Sequence, residues 1–379
     1  MLNAFTNGLA RVKTPEFTLK LGKKDITGNI QSRLIALTVT DNRGFEADTL
    51  TLTLDDADGQ IQMPERNNII TLAIGWRGTA LTEMGTFIVD NVYHSGAPDR
   101  VKVTANSADF RGSLNSQRDG SWHDTTLGAI VEEIATRNKL QTSLPAALSQ
   151  IKIAHIDQSN ESDANFLTRL ARRNGAEIAV KLGKLFFIVP GMCMVGGETL
   201  PSVTIARSDG DKHEFSIADR INYAGVTAFW QDTATPKNLN KIQLQRKSSQ
   251  EKVAPLSHPQ AASNTAAANE KKVSTGYTAG ADKNVLTLST TFANKEEAMR
   301  AAEAQWSAIQ RNGAKFSFTL AQGRADLRPE MPVMVTGFKK VINDTRWVIK
   351  KVTHTMDTKG FISSVELEVG INDVEYEAK

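Results

Sequence analysis

The chain has 379 residues, of which 40% are hydrophobic and 23% are charged. That length exceeds what one compact core usually holds, so we expect two to four domains of an ordinary soluble type. The formal net charge of +3 is too small to support a nucleic-acid or membrane-surface role through bulk charge.

The N-terminal sequence and the cysteine content exclude several classes of protein. Residues 1–6 lack a charged segment followed by a long apolar run, so we expect no secretory signal. No stretch of about 18 apolar residues predicts a transmembrane helix, and we expect folding in a cytoplasm. The single cysteine, Cys193, cannot form a disulfide framework or a cysteine-based zinc site within one chain. We expect it to be a small buried apolar side chain.

Residues 1–111 are predicted to form an antiparallel β-barrel or sandwich. Leu50, Leu52 and Leu54 alternate with threonines, and similar alternation recurs from Phe17 to Val103. Period-two alternation indicates strands with one buried and one solvated face. Turn-forming residues separate these strands, so the sequence favours several short antiparallel strands in succession.

Residues 112–200 are predicted to form a separate α+β domain. Thr126 can cap a helix whose apolar stripe follows at helical spacing. A second helix is predicted from about Ser162 to Arg173, with Gly175 just past its end. Its basic residues Arg169, Arg172 and Arg173 are interpreted as a solvated helix face. A hairpin over 177–181 and 185–189 follows. The stripe of the first helix comprises Leu127, Ile130, Val131, Ile134 and Ala135.

Residues 201–235 and 314–379 are predicted to form a second β-barrel, with 236–313 inserted into it. Residues 237–275 are polar and poor in large apolar side chains, which favours a flexible loop. Asn294-x-x-Glu297 resembles a capping box and begins a long alanine-rich helix that ends near Gly313.

Three sequence elements recur in the same order near the two ends of the chain. Phe87 to His94 and Trp347 to His354 share the pattern aromatic, two β-branched, two polar, Val, spacer, His. Upstream, a glycine followed by an aromatic residue recurs, and so does an alternating apolar triplet. Ordered recurrence is typical of a duplication, so we predict two similar barrels in one chain. The upstream matches are Ile74-Gly75-Trp76 with Thr336-Gly337-Phe338, and Leu50-x-Leu52-x-Leu54 with Phe316-x-Phe318-x-Leu320.

This organisation resembles the late control gene D family of temperate contractile-tail phages. The resemblance covers most of the chain and is strongest over residues 30–200, and part of it extends to the hubs of type VI secretion (VgrG) spikes. The matching residues are Asp41-Asn42, Ala47-Asp48-x-Leu50-x-Leu52, Pro64, Ile74-Gly75-Trp76, Gly85-Thr86-Phe87, Trp122-x-x-x-Thr126-Leu127-x-x-Ile130-Val131 and Glu161-Ser162-Asp163-x-x-Phe166-Leu167-x-x-Leu170-Ala171-x-x-x-Gly175-Ala176.

The resemblance implies a fold and a set of partners. The fold is mainly β with α+β insertions: two similar tube-protein-like antiparallel β-barrels plus an α+β domain. The expected role is that of a homotrimeric baseplate hub that adapts a sixfold tail tube to a threefold spike. The implied partners are a tube or tube-initiator protein above, a trimeric spike below and other baseplate proteins, without stable membrane association. Since the chain ends at Lys379, the resemblance implies a needle on a separate polypeptide.

The expected location is the virion tail baseplate, assembled in the host bacterial cytoplasm. DNA is expected only as passing cargo through the pore of the ring. The pore lining should therefore not be strongly basic, because counterion release would then hold the DNA. No helix-turn-helix or basic recognition helix supports the transcriptional control that the family name suggests.

No catalytic, cofactor-binding or metal-ligating residue is predicted, and no cofactor. No two histidines have zinc-ligand spacing, and His94 and His354 are expected to be partly exposed barrel residues. His155-x-Asp157 with Ser159 holds the residue types of a triad but lacks a Gly-x-Ser-x-Gly elbow. Residues 55–59 superficially resemble a calcium loop, but a turn is favoured because the terminal glutamate is missing. The six histidines are His94, His123, His155, His213, His258 and His354.

Three alternative functions remain open from the sequence. A tail-tip peptidoglycan hydrolase would need a pair of carboxylates held in a cleft, and common acidic residues do not exclude one. A hub of a type VI-like secretion spike is the second alternative. A glycan-binding module would need clustered exposed aromatic residues, and the chain has only four tyrosines and five tryptophans.

Overall fold

The structure is a computed structural model that describes residues 13–44, 46–107, 113–181, 183–195, 198–217, 223–231, 239–246, 284–370 and 376–378. Strands predominate, and the largest sheet has 13 strands. Most of the predicted polar segment, and His258 within it, lies outside the described residues.

The first β unit covers residues 15–107. Its buried leucines alternate with half-buried threonines, as in residues 49–55, where Leu50, Leu52 and Leu54 enter the core. The predicted strands in this region are confirmed. The elements are β1 (Pro15–Leu21), β2 (Lys24–Asp25), α1 (Thr27–Gln31), β3 (Leu34–Asn42), β4 (Thr49–Asp55), β5 (Ile69–Trp76), β6 (Thr82–Ser95) and β7 (Arg100–Ser107).

An α+β unit follows, with a hydrophobic cluster of its own drawn from residues 114–187. The Thr126 hydroxyl accepts from Ala129 N, and the predicted stripe from Leu127 to Ala135 is buried, so the first helix is confirmed. The second helix is also confirmed, because it ends at Arg173 before Gly175 at φ +72°. The elements are β8 (Gln117–Thr126), α2 (Leu127–Arg137), β9 (Gln141–Ser143), α3 (Ala146–Ser149), β10 (Lys152–Ser162), α4 (Asp163–Arg173), β11 (Glu177–Lys181), β12 (Lys184–Ile188), β13 (Met194–Val195) and β14 (Glu198–Thr199).

The remainder of the chain alternates between two sheets. Its elements in order are β15 (Val203–Ala206), β16 (Gly210–Ile217), β17 (Gly225–Trp230), β18 (Asn240–Arg246), β19 (Val285–Phe292), α5 (Lys295–Arg311), β20 (Ala314–Leu320), β21 (Pro332–Thr336), α6 (Lys340–Asn343), β22 (Trp347–Asp357), β23 (Gly360–Val369) and β24 (Tyr376–Ala378).

A four-stranded sheet, in the order β19-β17-β18-β24, packs against α5 and has its own core around Trp306. The predicted start of α5 is confirmed, since Asn294 Oδ1 accepts from Glu297 N at 2.9 Å as an N-cap. Two expectations need correction here. β17 was assigned to the second barrel but pairs with β18 and β19, and residues 240–246 form a strand instead of a flexible loop. Ile242 and Leu244 are buried against α5, which stabilises that strand despite its polar neighbours.

The second β unit contains β15, β16 and β20 to β23, and it repeats the strand pairing of the first. The order β3-β4-β7-β6-β5-β1 recurs as β16-β20-β23-β22-β21-β15. The last pair differs, because β1 runs antiparallel to β5 whereas β15 runs parallel to β21.

The two units also share irregularities residue by residue. In β6, Asp90 is skipped between the pairs Val89–Ala105 and Asn91–Thr104. In β22, the register skips Lys350 between Ile349–Leu367 and Lys351–Glu366. A shared place for a bulge is hard to obtain by chance, because a bulge disrupts the ladder locally.

A second bulge matches in the same way. The register of β3 skips Ile35 opposite β4, and that of β16 skips Asp211 opposite β20. The predicted matches of Phe87 with Trp347 and of Leu50 with Phe316 follow the pairings. The glycine–aromatic match is wrong by one residue. Ile70 pairs with Phe87 and Val333 pairs with Trp347, so Ile70 and Val333 are equivalent. Counting along both strands makes Gly337 equivalent to Ile74 and not to Gly75.

Neither β unit is a closed barrel in the described residues. No pairing joins the ends β1 and β3 of the first unit. Instead β3 pairs antiparallel with the second half of β22, so both units belong to one continuous sheet. The prediction of two separate closed barrels is therefore corrected to two similar, open strand arrangements joined edge to edge.

Candidate functional site

The junction between the two β units is the first candidate site for assembly. β3 covers one edge of β22 from Lys351–Asn42 to Asp357–Ala36. Met356 and Phe361 of the second unit enter the core of the first. Trp76 Nε1 donates to Gly323 O at 2.8 Å, and its ring lies 5.2 Å from that of Phe361. The two units therefore behave as one body, because they share both backbone ladders and a core.

A buried ionic cluster lies at one end of this junction. Arg43 donates from Nη1 to Glu330 at 3.0 Å and from Nη2 to Glu368 at 3.0 Å, and from Nε to Glu177 at 3.3 Å. Arg311 lies 3.4 Å from Glu368. The cluster joins both β units, the α+β unit and α5, since its members come from all four.

Burial decides the electrostatics of the cluster. It raises the pKa of Glu330 to about 7, although Arg43 and the amide of Gly191 act in the opposite direction. Burial also lowers the pKa of Arg311. Burial alone would lower the pKa of Arg43. Its hydrogen bond and charge contact with Glu368 outweigh burial, so the pKa is raised. Two guanidiniums face three carboxylates here, so protonation of Glu330 would balance the charge.

A second charged contact ties the α+β unit to β3. Lys181 Nζ donates to Asp41 and, at 2.9 Å, to Asn42 O. Burial raises the pKa of Asp48 to about 6, with repulsion from Asp41 adding to it. The sequence marked Asp41, Asn42 and Asp48 only as part of the family resemblance, and it gave no sign of their contact with Lys181 or of the role of Arg43. The partners lie more than a hundred positions away, and nothing in the local pattern marks these contacts.

Two of the basic residues of α4, Arg169 and Arg173, form ion pairs with neighbouring elements. Arg169 Nη2 lies 2.7 Å from Glu161, and Arg173 Nη2 lies 2.7 Å from Glu297 at the start of α5. Arg169 and Arg172 are exposed, so the predicted solvated face is confirmed for them, whereas Arg173 is half-buried against α5.

The equivalent histidines His94 and His354 have different surroundings. The His94 side chain is 43% exposed and lies 3.7 Å from Asp56. His354 is buried, contacts the Ser363 hydroxyl at 2.7 Å, and its pKa is lowered by burial to about 4. Partial exposure is therefore confirmed for His94 and wrong for His354. The reason is that β3 lies alongside His354, where Val39 is its opposite residue.

The ribbon of β8 and β10 brings together only part of the set His155, Asp157 and Ser159, which holds the residue types of a triad. His155 Nε2 lies 2.9 Å from Asp157, and its ring stacks on His123 at 4.5 Å. Ser121, and not Ser159, completes the row, with its hydroxyl 3.0 Å from His123 Nε2. The Ser121 hydroxyl, and then His155, lower the pKa of Asp157. The row is exposed to solvent along a two-stranded ribbon, so it has no cleft to hold a substrate.

The calcium-like residues form a turn, as predicted. Asp58 accepts two hydrogen bonds from Arg33, at 2.6 and 2.5 Å, and this pairing lowers its pKa to about 2. Asp56 accepts from the amide of Ile61. Within the described residues, no group of three or more His, Cys, Asp or Glu side chains could hold a metal ion.

Cys193 is half-buried, which corrects the expectation of a fully buried side chain. Burial, and then the charge of Glu330, raise the pKa of its thiol to about 11. It is therefore protonated and weakly nucleophilic at neutral pH. No helix in the described part of the chain is long and apolar enough to cross a membrane.

Two further strand edges have no neighbour among the described strands. β16 pairs only with β20, and the second half of β6, residues 91–95, pairs only with β7. Tyr93 and Ile217 on these edges are 55% and 56% exposed. Such edges are templates for pairing with another chain.

The comparisons with known proteins agree with this architecture. The profile of the phage tail baseplate hub family (GPD) matches residues 70–360. A probable baseplate hub protein of Escherichia phage P2 is 53% identical, and one of Escherichia phage 186 is 50% identical. Each alignment covers 100% of this chain and 99% of the relative.

Solved structures show the same fold at low identity. A 43 kDa tail protein of prophage MuSo2 from Shewanella oneidensis has a TM-score of 0.61 at 14% identity, covering 93% of this chain and 98% of the other. A chain of the Francisella PdpA–VgrG complex has a TM-score of 0.52 at 12% identity, covering 98% of this chain and 55% of the other. The resemblance to VgrG-like hubs is thus confirmed at the level of fold.

These findings define the class of the protein: the chain belongs to the phage tail baseplate hub family. Its function is that of a baseplate hub of a contractile tail, as the sequence predicted, and its place is the virion tail.

Proposed function

We propose that three copies of this chain form a ring that adapts a sixfold tail tube above to a threefold spike below. The duplicated strand order, with both bulges at equivalent places, supports the proposal. Each chain then offers two similar faces, so three chains offer six. A closed cyclic oligomer is the usual arrangement of identical subunits that share one contact.

The adaptor role follows from rigidity as well as from repetition. The units of one chain can imitate neighbouring positions of a sixfold ring only if their relative orientation is fixed. The β3–β22 ladder, the shared core and the Arg43 cluster supply that fixation. We further propose a domain division at 1–111, 112–200, and 201–217 with 314–369, with the α5 layer inserted. This division follows the four separate hydrophobic clusters, although Ala325, Met356 and Phe361 pack into the first.

The proposed role is structural and does not include catalysis. The row Ser121, His123, His155 and Asp157 is the arrangement nearest to a hydrolytic site among the described residues. It is solvent-exposed, and its two histidines face each other through Nδ1 atoms 3.1 Å apart. A base that activates a serine is oriented by a carboxylate on its other nitrogen, whereas His123 meets a second histidine there.

The mass of the purified chain in solution tests the ring. Light scattering should give three times the 41.4 kDa chain mass, and negative-stain images of that peak should show a ring with a central hole. A monomer at every concentration, both alone and with its tube and spike partners, would contradict the proposal. Clearing of a bacterial cell-wall suspension by the chain would contradict the non-enzymatic part.

A further inference from the structure

The internal junction shows how one β unit joins another. Edge strand β3 of the first unit lies on the outer edge of β22 in the second. The strand equivalent to β22 is β6, and the strand equivalent to β3 is β16. Neither β6, over residues 91–95, nor β16 has the corresponding neighbour in the described part of the chain.

The exposure of β6 shows that this neighbour is missing. Val352 and His354 of β22 are buried, whereas the equivalent Val92 is half-buried and His94 is exposed. Residues 351, 353 and 355 are half-buried, whereas 91, 93 and 95 are exposed. All five positions are thus more exposed in β6, although the pairing with the strand on the inner edge is the same.

The exposure of β16 differs from that of β3 in the same direction. Leu37 and Val39 of β3 are buried, whereas the equivalent His213 is exposed and Phe215 is half-buried. Residue 41 is half-buried, whereas its equivalent Ile217 is 56% exposed. Both β6 and β16 are therefore more exposed than their equivalents β22 and β3, as expected for strands that pair with a second chain.

We infer that β16 of one copy pairs antiparallel with residues 91–95 of β6 in a neighbouring copy of this chain. The inference rests on the proposed ring and specifies its contact. Transferring the register of the internal junction places Val92 opposite Ile217, Tyr93 opposite Ser216, His94 opposite the half-buried Phe215, and Ser95 opposite Glu214.

This pairing has a physical rationale on both strands. Added ladder hydrogen bonds provide affinity in strand addition, and alternate side chains provide specificity. Ile217 would cover the exposed part of Val92, which already packs against the core of the first β unit. A long open edge with exposed apolar side chains is otherwise an aggregation hazard.

The contact also sets the symmetry of the assembly. Each chain uses two different edges, so the contact is head-to-tail and either closes as a ring or continues as a filament. Three internal β3–β22 junctions would then alternate with three β16–β6 junctions around one ring. The tail tube above would meet six similar junctions.

Cysteine cross-linking tests the register. In a Cys193→Ala background, Tyr93→Cys is combined with Ser216→Cys, the predicted opposite pair. The control combines Tyr93→Cys with Glu214→Cys, two positions out of register, where a diagonal separation of about 7–8 Å exceeds disulfide reach. Both pairs are oxidised in the purified chain and in tail particles from producing cells, and are resolved on non-reducing gels.

The matched pair should give a covalent trimer as the main product. The control pair should form no covalent trimer. Mixing the two single variants of the matched pair should give covalent dimers that neither forms alone, which shows that the bond joins different chains. A trimeric mass without cross-linking of the matched pair would overturn the strand pairing and leave the ring intact. A covalent monomer would also overturn it, and a monomeric mass with no cross-link even in particles would overturn both proposals.

Discussion

Arg43 on the first β unit donates from Nη1 to Glu330 of the second at 3.0 Å, across 287 positions of sequence. Both side chains are almost fully buried, and the Glu330 side chain has no measurable exposure. The pair lies where β3 passes onto β22, so it fixes the place at which the two units meet. Removal of Arg43 would leave carboxylates buried without their paired charge, which costs more than an exposed pair contributes.

The first prediction concerns this pair. Arg43→Ala should lower the free energy of unfolding by about 3–5 kcal/mol, because Glu330 and Glu368 remain buried without their common donor. Arg77→Ala is the matched control, since its contact with Glu16 is 3.9 Å long and exposed. It should change stability by less than about 1 kcal/mol. Urea unfolding followed by tryptophan fluorescence measures both, and equal effects would contradict the assigned role of Arg43.

The second prediction is a pH dependence at Glu330. Its pKa is raised by burial from 4.5 to about 7 in the folded state. The folded chain therefore holds this proton more firmly, so the stabilising contribution is complete below pH 4.5 and is lost as pH rises through 7. Relative to Glu330→Gln, which cannot ionise, the wild type should lose up to about 3 kcal/mol over this window.

Comparison with the variant is needed because Asp48, whose pKa is raised to about 6, titrates in the same window in both proteins. Unfolding midpoints measured from pH 4.5 to 8 give the difference curve. A difference that stays flat across this range would show that Glu330 is ionised in the fold at all these values.

The sequence predicted individual elements better than it predicted their joining. The alternation around Leu52 and the stripe from Leu127 are local patterns, and burial follows them directly. The pairing of β3 with β22 joins residues about three hundred positions apart and leaves no local signal. For the same reason the sequence indicated separate barrels, and it missed Arg43, whose role depends on partners from other units.

β17 and β18 show a second limit of sequence reasoning. Their apolar alternation is real, but alternation does not state which sheet a strand joins. Packing against Trp306 of α5 determines which sheet these strands join, and α5 lies much later in the sequence. His94 and His354 were treated alike for a related reason: the repeat is visible in sequence, whereas the strand that covers only one copy is not.

The third prediction concerns His354. Burial lowers its pKa from 6.5 to about 4, and its Nδ1 contacts Ser363. A group whose pKa is depressed in the fold opposes protonation, so the stability present above pH 6.5 is lost as pH falls through 4. The free energy of unfolding of the wild type should fall by up to about 3 kcal/mol more than that of His354→Gln as pH is lowered. His123→Gln, at an exposed position away from the open edges of β6 and β16, is the control for the substitution itself.

Unfolding midpoints of the three proteins between pH 4 and 7 provide the comparison. The stability of His354→Gln at pH 7 is expected to be lower than that of the wild type, since the substitution disturbs packing against Phe361. The slope with pH is therefore the informative quantity. Parallel curves for the wild type and His354→Gln would contradict the buried neutral histidine.

The last prediction concerns the exposed edge of β16. Ile217→Asp would place a charge opposite Val92 of the neighbouring copy, where the ring contact is expected to exclude water. Loss of about 1.4 kcal/mol or more per contact corresponds to at least a tenfold higher dissociation constant. Met192→Asp is the control, because this residue is also exposed, at 48%, but lies away from both strand edges. Light scattering over a concentration series measures the change, and unfolding midpoints check that both variants remain folded. A ring that forms equally well in the Ile217→Asp variant would remove β16 from the subunit contact, since a charge cannot be buried in a strand junction without loss of affinity.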